Sequence, residues 1–93
     1  MLYLNIITWE PPQREAVMKR FATQGVKLPA GMKMLGLWAD ICGGRVFELV
    51  DTGDVRDPKV SVQTNHEWTD LCKIESVGVM NAEEMMKVVS GKK

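Results

Sequence analysis

The chain opens on LYLNIITW, residues 2–9, which sets Leu2, Leu4, Ile6 and Thr8 on one side and Tyr3, Asn5, Ile7 and Trp9 on the other. Bounded by the Pro11-Pro12 pair, this run predicts a strand, and with both sides largely apolar it calls for a layer on each. From Pro12 to Gln24 the spacing becomes helical, Val17 aligning with Phe21 and Met18 with Ala22. Proline suits the first turn, Glu15 and Lys19 form a supporting pair, and Gly25 offers a left-handed stop.

Beyond Pro29 and Gly31, MKMLGLWADI and RVFELVD are two strand-like runs joined by Cys42-Gly43-Gly44, a β-hairpin. Asp57-Pro58 then supplies a cap and a first-turn proline, predicting a second helix with the stripe Val60, Thr64, Trp68 and Leu71. The β-branched Val60, Val62 and Thr64 alternate as a strand would and compete with that reading. CKIESVGVM is a fourth strand. Asn81 caps a last helix with Glu84 at the capping-box position, Met85, Met86, Val88 and Val89 on one side, and Gly91 as its stop. The order βαββαβ plus a terminal helix is an α+β, ferredoxin-like arrangement with expected strand order 4-1-3-2.

At 93 residues there is room for one domain, spanning 1–93. Twelve basic and twelve acidic residues cancel, so no net field draws in nucleic acid or an anionic membrane. No apolar run reaches the roughly 20 residues of a membrane span, and no secretory signal opens the chain; a cytoplasmic protein is expected. Cys42 and Cys72 follow no metal-ligand or redox spacing, so free thiols and neither metal nor cofactor are expected. The strand order also puts them about 14 Å apart, too far for a disulfide within one subunit.

The segments AGMKMLGLWAD, GGRVFELVD and DPKVSVQTNHEWTDL, leading into a strand with Glu75, resemble a family of small uncharacterised bacterial and archaeal proteins. That family is a domain of unknown function in the dimeric α+β barrel superfamily. The likeness covers nearly the whole chain and is most specific at Gly36 and Trp38, at Asp57-Pro58, and at Trp68, Asp70 and Leu71. Ala39 and Thr64 depart from it, standing where the family often has histidine and a large apolar residue. The resemblance implies a homodimer whose sheets pair face to face, and lends no reaction.

In such a fold the helices cover one sheet face. Our reading puts Leu2, Leu4, Leu35, Leu37, Phe47 and Leu49 beneath them, leaving Tyr3, Asn5, Trp9, Met34, Trp38, Glu48 and Glu75 facing the barrel. Of these, Tyr3, Asn5, Trp9, Met34 and Trp38 are the candidate ligand-binding set. Buried carboxylates and amides are costly unless paired, so Glu48, Glu75 and Asn5 are candidates for proton transfer or ligand contact. Alternatively, Glu48 and Glu75 lie near strand ends or meet Arg45 and Lys73 across the dimer, and Asn5 bonds to a neighbouring strand. His66, the only histidine, titrates near neutrality but lies beside Asn65 and Glu67 on a solvated turn. The tryptophans serve as core or interface anchors, the methionines as adaptable packing.

Three functions are expected in descending order. The first is a homodimer holding a small apolar or aromatic metabolite inside the barrel between its paired sheets. The second is a cofactor-independent monooxygenase, isomerase or cyclase using Asn5, Glu48 and Glu75, with His66 a further candidate. The third, an RNA-binding sheet built on Tyr3 and Phe47, is opposed by the neutral charge and by the lack of a basic, glycine-aromatic motif.

Overall fold

The computed structural model describes residues 1–91. Four strands, β1 (Leu2–Thr8), β2 (Lys33–Ala39), β3 (Arg45–Asp51) and β4 (Lys73–Val79), alternate with helices α1 (Arg14–Gln24), α2 (Pro58–His66) and α3 (Ala82–Val89) in the order β1-α1-β2-β3-α2-β4-α3. The fold is α+β. One sheet of order β2-β3-β1-β4 joins all four strands, and every neighbouring pair is antiparallel.

Local chemistry explains the boundaries. Pro11–Gln13 forms a single 3-10 turn, so α1 starts at Arg14, two residues later than the periodicity predicts. Gly25, at φ 64°, ends it. α2 is helical despite its β-branched residues because Asp57 accepts a hydrogen bond from the Lys59 amide at 3.0 Å and Pro58 opens the first turn. The Thr64 hydroxyl is absorbed by the Val60 carbonyl one turn back, at 3.0 Å. The helix stops at His66, and Trp68 and Leu71 follow it in a turn rather than extending its stripe.

The core lies between the sheet and α1. Val17 is fully buried, with Ile7, Trp9, Val46 and Cys72 around it and Phe21, Trp68, Leu71 and Ile74 packed against them. Phe21 and Trp68 stack with ring centroids 4.6 Å apart. Arg20 fastens α1 to the turn after α2 with two bonds to Asp70, of 2.7 and 2.9 Å, and one to the Glu67 carbonyl at 2.7 Å. Its guanidinium also lies 5.6 Å from the Trp68 ring centre.

This core reverses the expected face assignment. Ile7 and Val46 are directly opposed and meet α1, so Leu2, Leu4 and Ile6, with their partners Phe47 and Leu49, lie on the open face. Tyr3, Asn5 and Glu48 share the helix-covered face instead. The reason is physical: β1 is apolar on both sides, and alternation reports two faces without saying which one receives a helix. β2 adds a second departure. A bulge between Met34 and Gly36 breaks its alternation, so Met34 opposes Val50 on the covered face, while Trp38 opposes Phe47 on the open one. Leu35 sits at the bulge, and Leu37 pairs with Glu48 on the covered face of an edge strand, both exposed. The Trp38 ring lies so close over Gly36 that a Cβ there would collide with it.

Cys42 is exposed and Cys72 buried, both as free thiols. No helix among the described residues is long and apolar enough to cross a membrane.

Candidate functional site

A cleft of about 590 Å³ opens between the sheet and α2. Its floor is polar. Asn5 lies in β1 with Glu48 beside it on β3 and Ser76 beside it on β4, so the two strand pairings bring three polar side chains into one row. The Ser76 hydroxyl donates to Asn5 Oδ1 at 2.6 Å, and Asn5 Nδ2 donates to Glu48 Oε1 at 2.8 Å. Tyr3 adds a phenol whose contact is the weak acceptor Met1 Sδ, at 3.5 Å.

The walls are mostly apolar. Leu28, Pro29 and Met32 come from the segment before β2, Val55 from the segment before α2, and Val62 from α2 itself. Thr64 and Asn65 add polar atoms, and Arg56 and Asp57 stand exposed at the rim. Arg56 makes no salt bridge among the described residues.

Glu48 is the chemically distinctive member, since only 6% of its surface is exposed. It lies in the middle of β3 and pairs with no cation among the described residues; Arg45 is engaged instead by Asp40, at 2.8 Å. That ion pair and the Cys42 amide hold Asp40 below the usual carboxylate range. The strand-end position raised for Glu48 is therefore set aside. Oε2 of Glu48 has no hydrogen-bond partner among the described residues, yet it is not sealed off from the cleft. It is an acceptor left for whatever fills that space.

The chain matches a sequence family across residues 1–93, the domain of unknown function DUF3303. It belongs to that family. Comparison with curated proteins and with solved structures finds no significant match to either.

In this DUF3303 domain the expected site residues divide into groups. Tyr3, Asn5 and Glu48 meet in the cleft. Met34 shares their sheet face without lining the cleft, and Met32 takes the wall position. Trp9 is buried in the core beside Val17, its indole N–H without an acceptor among the described residues. Trp38 and Glu75 are exposed, Glu75 opposing Ile6 and so also on the open face. The expected placement of Glu75 on one sheet face with Asn5 and Glu48 is thereby corrected: in β4 the residue beside Asn5 is Ser76.

His66 lies outside the cleft, in a shallow surface depression with Arg20 and Asp70. There the Arg20 guanidinium holds Asp70 below the usual carboxylate range, a clamp within the fold. Burial pushes the Cys72 thiol up, away from reactivity. Among the described residues no group of three or more His, Cys, Asp or Glu is placed to hold a metal ion. Ser76, Arg56 and Asn65 were not anticipated. The available signal for Ser76 was a small polar residue interrupting the strand run, but only the register against Asn5 gives it meaning.

Proposed function

We propose that this domain binds a small, mostly apolar or aromatic metabolite in the cleft between the sheet and α2, and that the metabolite presents a hydroxyl or amine to Glu48. The observation that carries the reading is the buried Glu48 carboxylate, with one oxygen bound by Asn5 and the other unpartnered among the described residues, beneath apolar walls. The free oxygen is open to the cleft, so a ligand donor would take the place of water there while the ligand's body displaces water from the apolar walls. Arg56 at the rim would favour a ligand with an acidic outer end.

The dimer belongs to the same reading. The strand order and the open face of Leu2, Leu4, Ile6, Phe47 and Leu49 support a ferredoxin-like subunit that pairs with a second copy as a dimeric barrel. The free thiols fit a reducing, cytoplasmic setting.

A cofactor-independent isomerase, cyclase or monooxygenase is the second reading. It is favoured by Glu48 and the Tyr3 phenol facing one cleft, where Glu48 would accept a proton from the bound molecule. Glu75 and His66 drop out of it, being outside the cleft.

The test is a thermal-shift screen of phenols, aromatic amines and hydroxylated aromatic acids against the wild type and Glu48→Gln. Compounds that raise the melting temperature of the wild type and lose most of that effect in Glu48→Gln are expected. Hits that stabilise both proteins equally would show that Glu48 does not recognise the ligand, and the reading would fall.

A further inference from the structure

The polar row on the floor of the cleft has a direction, and Glu48 sets it. A carboxylate accepts hydrogen bonds and donates none, so Asn5 turns its amide nitrogen toward Glu48, 2.8 Å from Oε1. The Asn5 carbonyl oxygen then faces Ser76. That oxygen also only accepts, which commits the single proton of the Ser76 hydroxyl to it, at 2.6 Å.

What remains at the two ends of the row is therefore alike. Glu48 keeps Oε2 on the β3 side and Ser76 keeps the lone pairs of Oγ on the β4 side, and both residues line the cleft. Each end is an acceptor waiting for a donor. A ligand carbonyl or carboxylate would meet lone pairs at both, and Ser76 could turn its proton toward such a group only by abandoning Asn5. The ends differ in charge, since Glu48 carries the one charge of the row. At the rim, Arg56 and Asp57 are neighbours of opposite sign and offset each other.

The spacing sets the length of the ligand. Glu48 and Ser76 flank Asn5 on the strands either side of β1, so their backbones stand two strand spacings apart, roughly 9–10 Å. Both side chains lean inward to bond Asn5, which brings the free acceptors closer than that. Apolar walls, Val55 and Val62 among them, enclose the space above the row.

We propose that the ligand is a two-ended donor of the phenolic alkylamine class: its ammonium meets Glu48 Oε2, and a hydroxyl on the far side of its ring donates to Ser76 Oγ. The ring then lies across β1 above Asn5. The cation goes to Glu48 because that end alone is charged, and the neutral hydroxyl suits Ser76. This rests on the cleft reading above and names its ligand class.

NMR titration of the full chain with tyramine and with phenethylamine, which lacks the hydroxyl, tests it in the wild type, Ser76→Ala and Glu48→Gln. Tyramine is expected to bind the wild type about three- to tenfold more tightly than phenethylamine, the worth of one neutral hydrogen bond. Ser76→Ala should erase that advantage while leaving phenethylamine binding as it was. Glu48→Gln should weaken both amines at least about tenfold, since both lose the charged partner. If tyramine has no advantage in the wild type, or keeps it in Ser76→Ala, the two-ended ligand is overturned, while the cleft reading stands as long as Glu48→Gln weakens both amines. If both bind Glu48→Gln as they bind the wild type, the cleft reading falls with it. If neither amine binds the wild type, this ligand class is overturned and the wider thermal-shift screen decides the cleft reading separately.

Discussion

At the residue scale, the pairing of Asn5 with Glu48 separates function from stability. Asn5 is the one described donor to a carboxylate that is almost wholly buried. Asn5→Ala therefore strips that carboxylate and is expected to destabilise the fold by about 2–3 kcal/mol, the range for orphaning a buried charged acceptor. Glu48→Gln should behave differently, since its amide oxygen still accepts from Asn5 Nδ2 and its amide nitrogen faces the cleft, with no charge to desolvate. We expect it to be neutral to slightly stabilising in urea unfolding, while ligand-induced stabilisation is lost. Equal losses in the two variants would mark Glu48 as a structural carboxylate. Asn5 and Glu48 were legible in sequence as polar residues inside apolar runs. Ser76 was not, because its role depends on the register of β4 against β1.

At the element scale, the clearest signals were those whose physics is local. The Pro11-Pro12 stop, the Asp57-Pro58 helix start and the Asn81 cap depend on neighbours within a few residues, and each stands where those neighbours put it. What failed was non-local. Periodicity in β1 and β3 separates two faces, yet the choice of covered face is made by Val17 and Phe21, which reach Ile7 and Val46 only after the chain crosses over. The bulge in β2 then sends Met34 and Trp38 to opposite faces, although their even spacing places them together. α2 shows how strong the local terms are, since one capped, proline-led turn prevails over three β-branched residues. Asp57→Ala should therefore cost about 1 kcal/mol by urea unfolding. Because Val62, Thr64 and Asn65 of that helix wall the cleft, it should also weaken ligand binding without touching the floor. Lost stability with undiminished affinity would show that α2 does not shape the site.

At the scale of the whole molecule, the chain has more apolar surface than one copy can cover. Its fully buried core centres on Val17, and the buried apolar residues around it lie on the helix side of the sheet. Leu2, Leu4, Ile6, Phe47 and Leu49 on the other side remain only partly covered. A domain of this size is marginal as a monomer, and in the dimer proposed above burial of the open face would add to its stability. Stability drawn from association depends on protein concentration. Unfolding a dimer releases two chains, so each tenfold rise in concentration adds about 1.4 kcal/mol per dimer, which for a unit of twice this length raises the melting temperature by about 3–6 °C. Scanning calorimetry across a hundredfold concentration range should show that rise twice over in the wild type, and a monomer would melt at one temperature throughout. The test also bears on the cleft. A ligand held by Asn5 and Glu48 on the helix side and a partner held on the opposite face stabilise through different surfaces. Their effects on the melting temperature should therefore add, unless closing the open face reshapes the strands that carry both.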